Sequence, residues 1–350
     1  MRVVVLGGTG HFGGRICRRL SQCPDVELIA PGRADLDMRS PEFCTSLRKL
    51  RPDVLIHTAG PYQDQDYAVA RACIDVGCHY VDLADGRDFV CGFSILDADA
   101  KAAGVTVITG ASTLPGVSSS VVEEAKPRFS EISRVETSIA PAHQTPRGMA
   151  TVSAVLSYCG KSFTSLRDGS WKTIHGWQDL RVQRYPSLGF SLSAACDVPD
   201  LELMPAMIPG LQSASFHAAL DAPWEQVSLW LMAWLSRLGV IRDWTRFAKT
   251  FAAISDRTRG LGSDRGGMHL HIAGVDHDGK ELCVDWYVLA ASNHGPEIPC
   301  TPSIVVTKKI LHGEIVRRGA FACWNLFTID ELLAELADFD ISIYDEEGVD

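Results

Sequence analysis

The chain opens on an apolar strand that runs directly into glycines, MRVVVLGGTGHFGGR over Met1–Arg15, and this stretch constrains everything after it. Val3, Val4, Val5 and Leu6 read as a buried strand, and Ile16, Cys17 and Leu20 return at helical spacing beyond the turn. The glycines between them therefore sit at a strand-to-helix junction. Gly7 and Gly10 let the backbone turn tightly and approach a pyrophosphate, and Gly13 lets helix and strand pack closely. The N–H groups around Thr9, His11 and Phe12 face the anion at the helix N-terminus. The spacing is G-x-x-G-x-x-G, a dinucleotide cradle.

Strand and helix patterns alternate over the next hundred residues: strands at 26–30, 53–58, 79–83 and 105–109, helices at 41–50, 64–76 and 88–103. Such a βαβ series predicts a parallel sheet with helices on both faces, whose ligands bind beyond the carboxyl ends of the strands. The segment from Pro115 reads as a helix with proline in its first turn. A strand at 135–140 then enters a second region with a helix at 149–158, one or two helices across 224–254, and a hairpin of 268–273 with 282–290 around Asp278-Gly279. Helices over 302–311 and 328–336 close the chain, the latter with a Thr328/Glu331 capping box. The acidic residues beyond Asp338 are expected to fray. The predicted class is α/β: an N-terminal Rossmann doubly wound parallel sheet over 1–130, an α+β substrate and dimerisation domain with an antiparallel sheet over 131–320, and a C-terminal helix and acidic tail over 321–350.

Composition limits the partners. A net charge of −10 over 350 residues, with no Lys/Arg cluster, argues against nucleic acid or an anionic membrane surface and leaves a small-molecule substrate. Eleven cysteines without a C-x-x-C pair, and a nucleotide motif starting at residue 3, predict reduced thiols and a cytoplasmic protein. The longest apolar run, Val227–Ile241, is too short and too interrupted by Ser236 and Arg237 to span a bilayer. It reads as a buried or dimer-forming helix; its polar side lacks the Lys/Arg row of a membrane-surface helix.

Cofactor choice turns on the end of the second strand, where NAD sites carry an acid for the ribose hydroxyls. Here the chain reads Ala30-Pro31-Gly32-Arg33. Arg33 would pair with a 2′-phosphate, so NADP is the expected cofactor and NAD the alternative, with Asp35 and Asp37 nearby favouring the latter.

The run GPYQDQDYAVARACIDVGCHYVDLADGRDF, Gly60–Phe89, resembles the cofactor domain of the saccharopine dehydrogenase-like family, which has a Gly-Pro-aromatic turn, an Ala/Cys-rich helix and a His-Tyr-Val-Asp-Leu strand in this order. GASTLPGVSSSVV, CDVPDLELMP, GGMHLHIAGVD and GPEIPCTPSIVVTKKIL are similar to later segments of that family. The resemblance implies a Rossmann domain followed by an α+β domain that often mediates dimers, and an NAD(P)-dependent oxidoreductase of an imine or carbonyl in an amino-acid-like substrate. It does not imply saccharopine itself. The opening turn also resembles extended short-chain dehydrogenases, but their Tyr-x-x-x-Lys is absent, Tyr158 and Lys161 being three apart.

Hydride transfer needs one group to move a proton. The turns at the strand ends supply Tyr62, after Ala59-Gly60-Pro61, and Asp85, and these with Arg147 as a carboxylate clamp are the predicted catalytic set. Asp82 and Tyr62 also read as packing residues, His79 lies at the far end of its strand, and His143, Asp197, Asp200 and His294 are weaker candidates. His269 and His271 share a strand face at chelating spacing, but no carboxylate or cysteine stands at a helpful spacing from them, so no metal is expected. The absence of an obvious acid/base pair leaves a second reading, a dinucleotide-binding sensor or scaffold without turnover.

Overall fold

The computed structural model describes residues 1–63 and 65–348. They form two compact units, one from Met1–Ser120 with Pro296–Leu336, the other from Val121–Gly295 with the residues from Ala337 on.

The first unit runs β1 (Arg2–Leu6), α1 (His11–Leu20), β2 (Glu27–Ile29), α2 (Phe43–Leu50), β3 (Val54–His57), α3 (Ala68–Val76), β4 (His79–Asp82), α4 (Arg87–Cys91), α5 (Asp97–Ala103) and β5 (Thr106–Thr109). The helix expected from Asp64 begins at Ala68, and Asp64 itself lies outside the described residues. A 3₁₀ stretch at Gly92–Leu96 divides the helix predicted over 88–103. Pro115 stands in the first turn of the following helix: Leu114 before it is extended (φ −125°, ψ 126°), because the proline ring disfavours the α region there, and the turn Thr113–Val117, π-type rather than α, runs directly into α6 (Ser118–Ala125).

The second unit continues with β6 (Glu131–Ala140), α7 (Met149–Ser157), β7 (Ser162–Arg167), β8 (Ser170–His175), β9 (Arg181–Tyr185), β10 (Gly189–Ala195), α8 (Asp200–Met207), β11 (Ser213–Ala219), α9 (Pro223–Arg237), α10 (Ala248–Thr258), β12 (Gly266–Val275) and β13 (Glu281–Ala290). The chain then returns to the first unit as α11 (Glu297–Leu311), β14 (Gly319–Ala322) and α12 (Ile329–Leu336), and ends in the second as β15 (Ile341–Gly348). Residues 296–336, divided by the sequence reading between the second domain and the tail, thus pack in the first unit.

The first sheet is parallel throughout, in the order β14-β5-β4-β3-β1-β2. β1 crosses to β2 on one side and β3 lies on the other, so the switch point falls between β1 and β3. Helix α11 packs against α1 and is buried on almost every side, which explains its apolar run from Ile298 to Ile310. Glu297 at its start pairs with Arg15 (3.0 Å) and lies 3.9 Å from Arg19. The capping box is present: Thr328 N–H donates to Glu331 Oε2 (2.8 Å) and Glu331 N–H to Thr328 Oγ1 (3.1 Å).

The second unit holds a seven-stranded sheet, β15-β13-β12-β6-β11-β10-β9, antiparallel except for the β6–β11 pair, and a separate β7–β8 hairpin. The acidic C-terminus does not fray over its described part. β15 pairs with β13 from Ile341 to Gly348, and Arg128 neutralises it through Asp345 (2.6 Å) and Glu347 (2.9 Å). Val349 and Asp350 lie outside the described residues. No helix among the described residues is long and apolar enough to cross a membrane.

Candidate dinucleotide site

The glycine turn has the backbone that its spacing requires. Gly7 takes φ +84°, and a Cβ there would stand 2.8 Å from Thr58 Oγ1. A Cβ on Gly13 would stand 2.2 Å from Gly7 O and 2.6 Å from Thr58 Oγ1, so only glycine allows α1 to approach β1 and β3 this closely. Gly10 N–H closes the turn on Gly7 O (2.8 Å), and the first intrahelical bond runs from Gly14 N–H to Gly10 O (2.9 Å). The N–H groups of His11, Phe12 and Gly13 precede that bond and have no partner within the helix. Gly10 caps the helix without a side chain. Burial and Arg15 both push the His11 imidazole below its ordinary value, so it stands neutral at this helix end.

Beside this turn lies the end of β3. Thr58 donates both its N–H and its hydroxyl to Leu6 O (2.9 Å each), tying the two strand ends together at the switch point. The following turn, Ala59-Gly60-Pro61 with a cis peptide before Pro61, is held by Gln65, whose amide donates to Ala59 O (2.8 Å) and Pro61 O (2.7 Å) while its oxygen meets His57 Nε2 (3.0 Å). His57 is fully buried, and desolvation pushes it down to about 4. Neither His57 nor Gln65 stood out in the sequence; the signal present was the Q-x-Q after the Gly-Pro-Tyr turn.

Tyr62 does not present its hydroxyl to the rim. The side chain is buried, its ring packs against His57 and Phe89, and its O–H donates to His57 O (2.6 Å). Burial, helped by Asp82, raises the phenol well above its ordinary value. The proton-carrier role does not fit this geometry; Tyr62 braces the turn.

Asp82, at the end of β4, is fully buried, and its Oδ1 accepts from Gly110 N–H (2.8 Å), Ala84 N–H (2.9 Å) and Thr109 Oγ1 (3.0 Å). It pins the rim turns after β4 and β5 to one another. Desolvation outweighs these bonds and pushes the carboxyl up to about 6. Asp85, three residues on, is exposed, and Gln63 Nε2 donates to its Oδ1 at 3.1 Å. Desolvation raises its carboxyl above the usual range despite its own backbone bond and the Gln63 bond. As a residue it stands exposed at the β4 end of the rim.

Arg33 follows β2 in an exposed turn closed by Asp35 and Leu36 N–H groups on Gly32 O (3.0 Å each). It has no ion pair among the described residues, whereas Asp37 is engaged by Arg39 N–H (3.0 Å).

The remaining candidates are committed inside their own units. His79 accepts from Thr106 N–H through Nδ1 (2.9 Å), at the strand start. In the second unit, Arg147 Nη1 pairs with the buried carboxylate of Glu225 (3.2 Å), which His143 Nδ1 also approaches (3.5 Å). Arg147 is therefore neither a free clamp nor a solvated loop charge. His294 accepts from Asp340 N–H (2.9 Å), and Asp200 is buried in α8.

No family model and no curated protein matches the sequence. Among solved structures, the apo histidine-tagged saccharopine dehydrogenase (L-Glu forming) from Saccharomyces cerevisiae is similar at a TM-score of 0.69 and 15% identity, over 99% of this chain and 100% of that one. An amine dehydrogenase from Mycobacterium smegmatis is similar at a TM-score of 0.47 and 12% identity, over 93% and 95% of the two chains. The chain thus has a saccharopine dehydrogenase-like fold, end to end.

Proposed function

We propose that the chain is an NAD(P)-dependent oxidoreductase that prefers NADP and moves hydride to or from an imine or carbonyl carbon of a small amino-acid-like substrate. The observation that carries this reading is the Gly7–Gly13 cradle at the β1/β3 switch point, where a Cβ would fill the space and the N–H groups of His11, Phe12 and Gly13 precede the first intrahelical bond of α1. The nicotinamide supplies the hydride when the cofactor is bound. The chain binds the pyrophosphate through the N–H groups of His11, Phe12 and Gly13 and the turn at Thr9, flanks the cofactor with Ala59, Gly60 and Pro61, and meets a 2′-phosphate with Arg33. Asp85, with its raised carboxyl, holds or accepts the proton at the substrate heteroatom. The similarity of the whole fold to a dehydrogenase supports the reading at the level of architecture.

The test is a fluorescence titration of NADPH and NADH, with turnover followed at the nicotinamide absorbance against keto acids paired with amines. Arg33→Ala weakens NADPH about 10- to 100-fold, the worth of a charge-assisted phosphate contact, and leaves NADH nearly unchanged. Equal losses for both cofactors refute the phosphate contact.

One observation favours a second reading, a dinucleotide-binding sensor without turnover: Tyr62 and Asp82 are both spent on internal hydrogen bonds. Tight NADPH binding with silence across the substrate panel supports it. The chain is further proposed to be a homodimer through α9, whose outer face exposes Trp224, Val227, Leu231 and Trp234, with Leu238 at its C-cap, at alternating spacings of three and four while Leu229, Met232 and Ala233 are buried.

A further inference from the structure

Strand pairing in the second unit assembles a cluster that no spacing along the chain reveals. In the β12–β13 register His271 stands opposite Asp285, Ala273 opposite Cys283 and His269 opposite Tyr287. One ligand atom each from His271, Cys283 and Asp285 lies within 4.8 Å of the others. The ligand atoms of a tetrahedral zinc ion with bonds of about 2.0–2.3 Å are about 3.5 Å apart, so modest side-chain rotation closes the set.

We propose that His271, Cys283 and Asp285 form a zinc-class divalent metal site that fastens β12 to β13, separate from the dinucleotide turn. A thiolate, an imidazole and a carboxylate are the donor mixture that zinc accepts. The charges balance: binding breaks the Cys283 S–H bond, the proton passes to solvent, and thiolate plus carboxylate cancel the two positive charges of the ion. A loaded site that is neutral suits its partly buried place, with Cys283 buried and the His271 and Asp285 side chains 15% and 27% exposed.

The surroundings are those that orient metal ligands. His269 Nε2 and His271 Nδ1 both meet the same oxygen of Asp285, Oδ1, at 2.6 and 3.0 Å, and neither bond involves Oδ2. The His269 ring is fixed by stacking on Tyr287 at 4.4 Å between centroids. His269 is therefore a positioning residue that holds the Asp285 carboxylate. Three protein ligands leave a fourth position for solvent.

The purified full chain, stripped with a chelator, is titrated with Co²⁺ and then with Zn²⁺. The expected result is one equivalent of Co²⁺, an intense thiolate-to-cobalt charge-transfer band, displacement of that band by Zn²⁺, and a Tm raised by zinc. Cys283→Ser removes the band and weakens zinc at least about 10-fold; His269→Ala weakens zinc about 10- to 100-fold but keeps the band. His277→Ala, in the exposed hairpin turn, changes neither. His271→Gln serves as a second ligand variant, and circular dichroism verifies that each variant folds. Absence of a band in the wild type overturns the proposal, as does a band undiminished in Cys283→Ser, which would assign the binding to other cysteines.

Discussion

Replacing Asp82 by Asn reads out directly how the rim of the parallel sheet is held. The folded carboxyl titrates at about 6 against an ordinary 3.8, because burial resists its charge more strongly than its hydrogen bonds favour it. Below the ordinary value the acid is protonated folded and unfolded, and its titration leaves stability unchanged. As pH rises from about 4 to 6 the unfolded chain loses the proton first, the folded chain binds more protons, and stability falls. At one pKa unit per 1.36 kcal/mol the full effect is about 3 kcal/mol, complete above pH 6 and constant beyond. Asn keeps an oxygen for Gly110, Ala84 and Thr109 and never ionises. Any fixed penalty for the new amide N–H groups shifts both ends of the curve equally. Urea unfolding of both proteins should therefore show the stability of Asn relative to Asp improving by about 1–2 kcal/mol between pH ~5 and pH ~7.5. A difference independent of pH, or one that moves in favour of Asp as pH rises, refutes the conclusion that the buried carboxyl is held against its charge.

Three further outcomes follow from the geometry. Gly13→Ala places a Cβ 2.2 Å from Gly7 O; it should cost about 1–3 kcal/mol in urea unfolding and weaken NADPH and NADH alike, in contrast to the selective loss in Arg33→Ala. Tyr62→Phe removes the hydroxyl's hydrogen bonds, to His57 O and with the Leu83 backbone, so it should lose about 1–2 kcal/mol of stability with cofactor affinity and turnover retained; a fall in kcat of about 100-fold would restore Tyr62 as a proton carrier. Leu231→Glu, on the exposed stripe of α9, should convert the proposed dimer into a monomer in sedimentation, and a wild-type chain that sediments as a monomer refutes that interface.

What was legible in the sequence is what local physics decides. Four apolar residues followed by glycines at three-residue spacing admit one arrangement: Gly7 sits at φ +84°, and a Cβ on Gly10 or Gly13 would meet Gly7 O of the same turn at 3.1 or 2.2 Å. The Thr328/Glu331 cap is local in the same sense. Elements defined by distant partners were not legible. β14 is four residues, Gly-Ala-Phe-Ala, and becomes a strand by pairing with β5, more than two hundred residues earlier. β15 reads as a solvated acidic tail because its sequence cannot show the β13 backbone that it joins or the Arg128 that neutralises it. β9 and β10 carry exposed Val182 and Phe190 where an amphipathic strand would carry polar residues, so their alternation is blurred.

The same division runs through the candidate site. Residue types predict chemistry only until a neighbour takes up the polar atom, and the sequence does not name the neighbour. Tyr62 had the right type and place, yet its hydroxyl is used five residues back on His57 O; Arg147 had the right charge, yet Glu225 meets it from seventy-eight residues away. Conversely, His271 looked isolated until antiparallel register set Asp285 against it and Cys283 two residues along. Asp85 and Arg33 remain the best candidates for the opposite reason. Both are exposed, and Arg33 has no ion pair among the described residues while Asp85 accepts one amide bond from Gln63. A dinucleotide or substrate can engage such groups without first displacing a buried partner, which is what Arg147 would require.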